Sequence, residues 1–205
     1  MTSAIVFGGT FDPVHNGHIA IARQAREATG AAEVWFVPAA LAPLRDAPRA
    51  TAEDRFELLE AACAAPGALG MTVLDIAIRR GGFSYTADVM DALRAEHPDT
   101  DLSVLLGADV ARTINDWHRA DDLLRKESFV IVNRSGVPSL DAAEAIRLGY
   151  SPARITLLTV QSPDVSATEI RARCARGESL EGMVPEAVAT LIARKGLYRQ
   201  NRDDA

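Results

Sequence analysis

The chain has 205 residues, 48% hydrophobic and 24% charged, which is enough apolar material for one sizeable core and excludes a disordered class. Its formal net charge of −6 argues against a general affinity for nucleic acid, which rests on many Lys and Arg contacts to phosphates, so any phosphate site must be local. Cys63 and Cys174 suggest neither a disulfide framework nor a zinc pattern, the opening residues lack a secretory signal, and no apolar run reaches the length of a membrane span; a reducing cytoplasm is expected, with no membrane partner.

Residues 4–7, Ala-Ile-Val-Phe, predict a first strand, and residues 17–29 a helix stopped by Gly30. Between them stands Gly8-Gly9-Thr10-Phe11-Asp12-Pro13-Val14-His15-Asn16-Gly17-His18, read as a strand-to-helix turn. Gly8 and Gly9 let backbone approach a ligand, and the helix start offers unpaired N–H groups and a positive dipole end, which favour an anion. The chain has only four histidines, and His15 and His18 both fall at this junction. An imidazole donates a hydrogen bond when neutral and adds charge when protonated, so the pair suits a phosphate that gains negative charge. Metal ligation is the alternative, but no third ligand of known spacing stands out; a purely structural turn is the other.

Residues 33–37 predict a second strand ended by Pro38, with Trp35 inside it as a packing residue. The βαβ order implies a parallel sheet covered by helices. Residues 38–50 form a proline-rich loop on the ligand-binding side of that strand, in the position of a lid. Thr51 and Asp54 read as a capping pair opening a helix with apolar Phe56, Leu58, Leu59, Ala62 and Cys63. Residues 71–77 predict the third strand, and Thr86 an N-cap for a helix through residue 93. Residues 102–106 predict the fourth strand, closed by Gly107-Ala108-Asp109; Asp109 either accepts hydrogen bonds from a ribose or caps the next helix. Trp117, outside any strand, can stack on a flat ring. Residues 128–132 predict the fifth strand, ending at Asn133 and Arg134, residues 139–148 a helical insertion, and residues 154–160 the sixth strand. Ser166 and Glu169 fit a capping box at the start of another helix, where Ser166, Thr168 and Arg171 would also place two hydroxyls and a guanidinium around a second anion site. Pro185 and Gly196 punctuate a last helix, and residues 200–205 are expected to fray.

Residues 8–18 resemble the HxGH signature of the nucleotidylyltransferase superfamily in the form carried by bacterial nicotinate-nucleotide adenylyltransferases, although phosphopantetheine adenylyltransferases share much of it. The segment Ser166-Ala167-Thr168-Glu169-Ile170-Arg171 resembles that family's Ser-x-Thr-x-x-Arg motif, Ser84-Tyr85-Thr86 its Ser-Tyr-Thr segment, and residues 176–180 and 184–198 its carboxyl-terminal helices. The resemblance runs from about residue 4 to residue 198. It implies a doubly wound parallel α/β sheet of Rossmann-like type with a small helical carboxyl end, a single domain over residues 1–199. It also implies transfer of AMP from ATP to nicotinate mononucleotide, with Mg²⁺ accompanying ATP and a homo-oligomer left open.

The resemblance assigns His18, His15 and Thr10 to catalysis, and Gly8, Gly9, Gly107, Asp109, Ser166, Thr168 and Arg171 to ATP. Arg45, Tyr85, Thr86, Ala87, Trp117, His118 and Arg134 fall to the pyridine nucleotide, whose ring would stack on Trp117 and whose carboxylate would meet backbone N–H groups near Ala87 and His118. One departure stands out: where the family has Pro-Pro-His and a basic residue in the lid, this chain has Ala42, Pro43, Leu44 and Arg45. The alternatives are a phosphopantetheine adenylyltransferase and a nucleotide-binding regulatory module without catalysis.

Overall fold

The computed structural model describes residues 2–43, 46–134 and 136–199. Among them, six strands form one sheet: β1 (Thr2–Gly9), β2 (Glu33–Pro38), β3 (Met71–Val73), β4 (Thr100–Gly107), β5 (Ser128–Asn133) and β6 (Ile155–Thr159). Their order is β3-β2-β1-β4-β5-β6, and every neighbouring pair is parallel. The helices are α1 (Asn16–Thr29), α2 (Ala52–Cys63), α3 (Ile76–Arg80), α4 (Thr86–Glu96), α5 (Ala108–Ala111), α6 (Ala120–Lys126), α7 (Ala142–Arg147), α8 (Ala167–Arg176) and α9 (Glu186–Lys195). No described helix is long and apolar enough to cross a membrane.

The strands alternate between two cores, because successive side chains leave opposite faces of a sheet. Ile5, Val34, Phe36, Leu105, Val130 and Val132 pack with α1, α2, α8 and α9, while Ala4, Val6, Trp35, Val37, Val104 and Ile131 pack with α3 to α7. Burying both faces explains why the strands read as nearly continuous apolar runs. The order in which strands are added reverses between β1 and β4, so the loops leaving their carboxyl ends run to opposite sides and leave a crevice. The glycines expected in a turn are the last two residues of β1, where Gly8 and Gly9 pair with Val37 and Pro38.

Three predicted elements differ. The third strand stops at Val73 instead of running to residue 77, and α3 begins at Ile76. The Asp75 carbonyl accepts from the Arg79 N–H at 2.9 Å, and the Asp75 carboxylate accepts from Arg79 Nε at 2.8 Å, an i,i+4 pair that favours a helix over a two-sided strand. Helix α4 is capped by Tyr85 in place of Thr86, without a side-chain cap. Residues 178–185 are not helical, because Gly177 ends α8 in the left-handed conformation at φ 70°.

Arg55 is the largest fully buried side chain, only 1% exposed. It shares the buried face of α2 with Leu58, Leu59 and Ala62, and its guanidinium donates to the carbonyls of Thr10 at 2.7 Å, Ala40 at 3.2 Å and Ala50 at 3.4 Å. It therefore ties the loop after β1 to both ends of the loop after β2. Arg55→Met should leave three carbonyls without that donor and lower the unfolding free energy by roughly 3 kcal/mol, read as a reduced midpoint in urea denaturation.

Candidate functional site

The loop after β1 turns sharply. Phe11 takes φ 51°, a conformation that costs a residue bearing a Cβ. Its ring folds back over Gly9, where an added Cβ would sit 2.9 Å from Phe11 Cζ. Gly9 is thus demanded by a packed ring, while nothing lies within 4 Å of the Cβ position of exposed Gly8. The same logic governs Gly17, whose absent Cβ would lie 3.0 Å from His15 Nδ1. The His15 and His18 rings stack, centroids 3.7 Å apart and planes 24° apart, and the edges of Phe7 and Phe11 close around His18.

This enclosure decides the charge of both imidazoles. Burial, with Arg134 adding to it, lowers the His15 pKa to about 4. Burial, then His15 and Arg134, hold His18 well below its usual value, so both are neutral near pH 7 and act as hydrogen-bond groups. The backbone N–H of His15 donates to His18 Nδ1 at 3.3 Å. An accepting Nδ1 assigns the ring proton to Nε2, leaving His18 with an N–H donor on its far side. His15 Nδ1 is buried without a hydrogen-bond partner among the described residues.

The second predicted anion element reaches the same loop. Arg171 Nη1 donates to the backbone carbonyl of Asp12 at 2.7 Å, and its Nη2 donates to Thr168 Oγ1 at 3.2 Å. Ser166 caps α8, accepting from the Glu169 N–H at 3.2 Å. Asn16 at the start of α1 binds the far segment too, its N–H donating to the Met183 carbonyl at 2.9 Å and its Nδ2 to that of Gly182 at 2.8 Å. Both helix beginnings, α1 and α8, therefore stand beside residues 10–18.

Asp109 lies in the first turn of α5 without capping it. Its carboxylate folds back over Gly107, where a Cβ would meet Oδ1 at 2.5 Å, and Arg134 approaches it at 3.6 Å. Arg134 thus joins the end of β4 to the histidine pair.

The remaining predicted residues form a second group along the strand ends. The Tyr85 and His118 rings lie 4.5 Å apart, and α4 begins at Thr86 and Ala87 with no side chain over its first N–H groups. Trp117 Nε1 donates to Thr113 Oγ1 at 3.0 Å, and the half-buried indole packs against the second core. His118 lies 3.9 Å from Asp88. The Arg119 guanidinium, whose pKa its acidic neighbours raise, donates to Asp88 and Asp91 of α4 and to Asp122 of α6, clamping the two halves of this group together. Trp35 belongs to the core, its Nε1 donating to Glu33 at 2.6 Å.

The loop after β2 connects the groups. The Ala39 N–H donates to the Gly9 carbonyl and the Ala40 N–H to Ser84 Oγ, both at 2.9 Å. At its other end, the Arg49 and Ala50 N–H groups donate to the Asp12 carboxylate at 2.8 and 3.1 Å. Leu44 and Arg45 lie outside the described residues, so Arg45 keeps only its sequence assignment. Sequence reasoning passed over Arg55, Asp12 and Tyr198; of these Arg55 alone carried a signal, an arginine in phase with Leu58, Leu59 and Ala62.

Residues 6–173 match the family model described as "Cytidylyltransferase-like". Over 195 residues the chain is 37% identical to a Gemmatimonas aurantiaca protein named "Probable nicotinate-nucleotide adenylyltransferase", covering 95% of this chain and 92% of that one. A protein of the same name from Herpetosiphon aurantiacus is 34% identical, with 94% and 96% covered. Among solved structures, the nicotinic acid mononucleotide adenylyltransferase of Plasmodium falciparum complexed with NaAD superimposes with a TM-score of 0.80 at 16% identity, covering 97% of this chain and 98% of that one. The same enzyme complexed with APC gives 0.76. At such identity these structures speak for the fold.

The buried histidines also set a pH dependence of stability. Above pH 6.5 His15 is neutral folded or unfolded; between that value and about pH 4 only the unfolded chain takes up its proton, so stability falls as pH drops through this window. The loss assigned to His15 is up to roughly 3 kcal/mol. His15→Gln should flatten the decline in unfolding free energy over that range, measured by denaturant titration at successive pH values.

Proposed function

Since this chain belongs to the cytidylyltransferase-like family, together with the nicotinate-nucleotide adenylyltransferases it matches over nearly its whole length, we propose that it transfers AMP from ATP to nicotinate mononucleotide, yielding deamido-NAD and pyrophosphate. The observation that best supports this reading is the 2.7 Å contact from Arg171 to the Asp12 carbonyl, which brings the first turns of α8 beside the loop that leads into α1. One start serves the phosphorus under attack and the other the departing end.

The nucleotide's phosphate oxygen attacks the α-phosphorus of ATP in line, and the bond to the pyrophosphate oxygen breaks. No covalent enzyme intermediate is involved, so catalysis consists of positioning and charge stabilisation. Neutral His18 donates through Nε2–H to an α-phosphate oxygen as its charge grows, with His15 holding the ring and Thr10 assisting. Ser166, Thr168 and Arg171 hold the leaving pyrophosphate, Gly8 and Gly9 leave room for the nucleotide, and Asp109 beside Gly107 takes the ribose. Arg134 faces the acceptor phosphate. Trp117 and Tyr85 flank the pyridine, and the N–H groups near Thr86, Ala87 and His118 receive its carboxylate, with Arg45 contributing from the loop. Mg²⁺ would be carried mostly by the phosphates of ATP and by water. A cytoplasmic location fits this substrate set.

Pyrophosphate release should occur with ATP and nicotinate mononucleotide and fail with phosphopantetheine; a preference for phosphopantetheine, or release with neither, would overturn the reading in favour of its two rivals. His18→Ala should cut kcat by roughly 10² to 10³ with ATP still bound, measured by steady-state kinetics and ATP titration. Trp117→Ala should raise KM for nicotinate mononucleotide well above any change in KM for ATP.

A further inference from the structure

Tyr198 stands three residues beyond Lys195, the last residue of α9, at the end of the segment that resembles the family's carboxyl-terminal helices, and its position is closely constrained. It is 9% exposed and takes φ 63°, a left-handed backbone that an aromatic residue adopts only when its surroundings impose it. Lys195 fixes the end of α9 on α2 through Asp54 at 2.7 Å and Glu57 at 2.6 Å. From there the Tyr198 hydroxyl donates to Asp12 Oδ1 at 2.8 Å.

Asp12 is itself 7% exposed. Its Oδ1 also accepts from the Ala50 N–H, and its Oδ2 from the Arg49 N–H. Arg171 Nη1, which donates to the Asp12 carbonyl, passes only 4.0 Å from Oδ2. A buried carboxylate short of donors turns toward the nearest guanidinium. Three donors on the carboxylate keep it from closing further on Arg171, whose N–H groups beyond those given to the Asp12 carbonyl and to Thr168 then stay available for an anion. Burial and the Asp12 charge both raise the Tyr198 pKa, so its hydroxyl remains a donor across the working pH range.

We propose that Tyr198 is a positioning residue for adenylyl transfer: by satisfying Asp12 it keeps the carboxylate from capturing Arg171 and so keeps that guanidinium directed at the leaving pyrophosphate. The inference rests on the adenylyltransferase reading for its kinetic consequence, but its binding consequence is independent of turnover. Tyr198→Phe retains the ring and loses only the hydroxyl; Tyr198→Met, smaller and flexible enough to repack, loses the same hydroxyl and serves if the first variant does not fold. In either, affinity for pyrophosphate, measured by calorimetry on the full-length protein, should fall about 10-fold. KM for ATP should rise by a similar factor with a lower kcat, while KM for nicotinate mononucleotide changes less than about twofold. Unchanged pyrophosphate affinity, or an equal rise in KM for both substrates, would overturn the proposal, the second outcome marking a merely structural role. If the parent protein releases no pyrophosphate from ATP, the functional reading fails, and calorimetry still decides the part played by Tyr198.

Discussion

The site depends on one closure: the last third of the chain returns to the loop after β1 and is fastened there. Arg171 reaches the Asp12 carbonyl, Tyr198 the Asp12 carboxylate, and Asn16 the carbonyls of Gly182 and Met183. A loop between a strand and a helix has little means of fixing its own shape, and this one includes a residue at positive φ, Phe11. Its geometry is imposed from outside by donors arriving from distant elements. Arg55 works from the opposite side, donating to Thr10. The surface proposed to face phosphate is therefore a property of the completed fold and cannot form from residues 8–18 alone.

That closure also sets the electrostatics. Enclosing two stacked imidazoles among phenylalanine rings makes them neutral, so the histidines supply directed donors and the net positive charge comes from Arg134 and Arg171. This division is advantageous on an acidic protein. Guanidinium groups keep their charge at any relevant pH, and a neutral imidazole with a fixed tautomer presents one N–H in one direction. Preorganised donors of this kind need not reorient as charge develops.

Much of this architecture was legible in the sequence. The six strands, with the third running short of its expected end, and α1, α2 and α8 followed from apolar runs and punctuation, and so did the two helix starts bearing His, Ser, Thr and Arg. What escaped had no local signal. Helix α6 is preceded by Arg119 at φ 57°, a conformation that only its three acidic partners make intelligible. The boundary at Val73 depends on an edge strand giving way to an i,i+4 ion pair. Asp12 reads as an ordinary turn residue before proline, and its partners come from residues 49, 50 and 198, far along the chain.

The glycines of the first motif give a sharper lesson about inferring function from residue type. Two glycines after a strand suggest backbone approaching a ligand, yet Gly9 and Gly17 are required by the rings of Phe11 and His15, at 2.9 and 3.0 Å from their Cβ positions. Only Gly8 borders open space. The pattern His-x-Gly-His is thus a packing solution: the glycine admits the first imidazole against the helix, the first imidazole stacks on the second, and the stack with Phe7 and Phe11 excludes the water that would let either titrate near neutrality. A side chain at Gly17 would press its Cβ to 3.0 Å from His15 Nδ1, so the stacked imidazoles would have to give way around it. Spacing, burial and protonation state are in that sense one constraint, expressed in four residues.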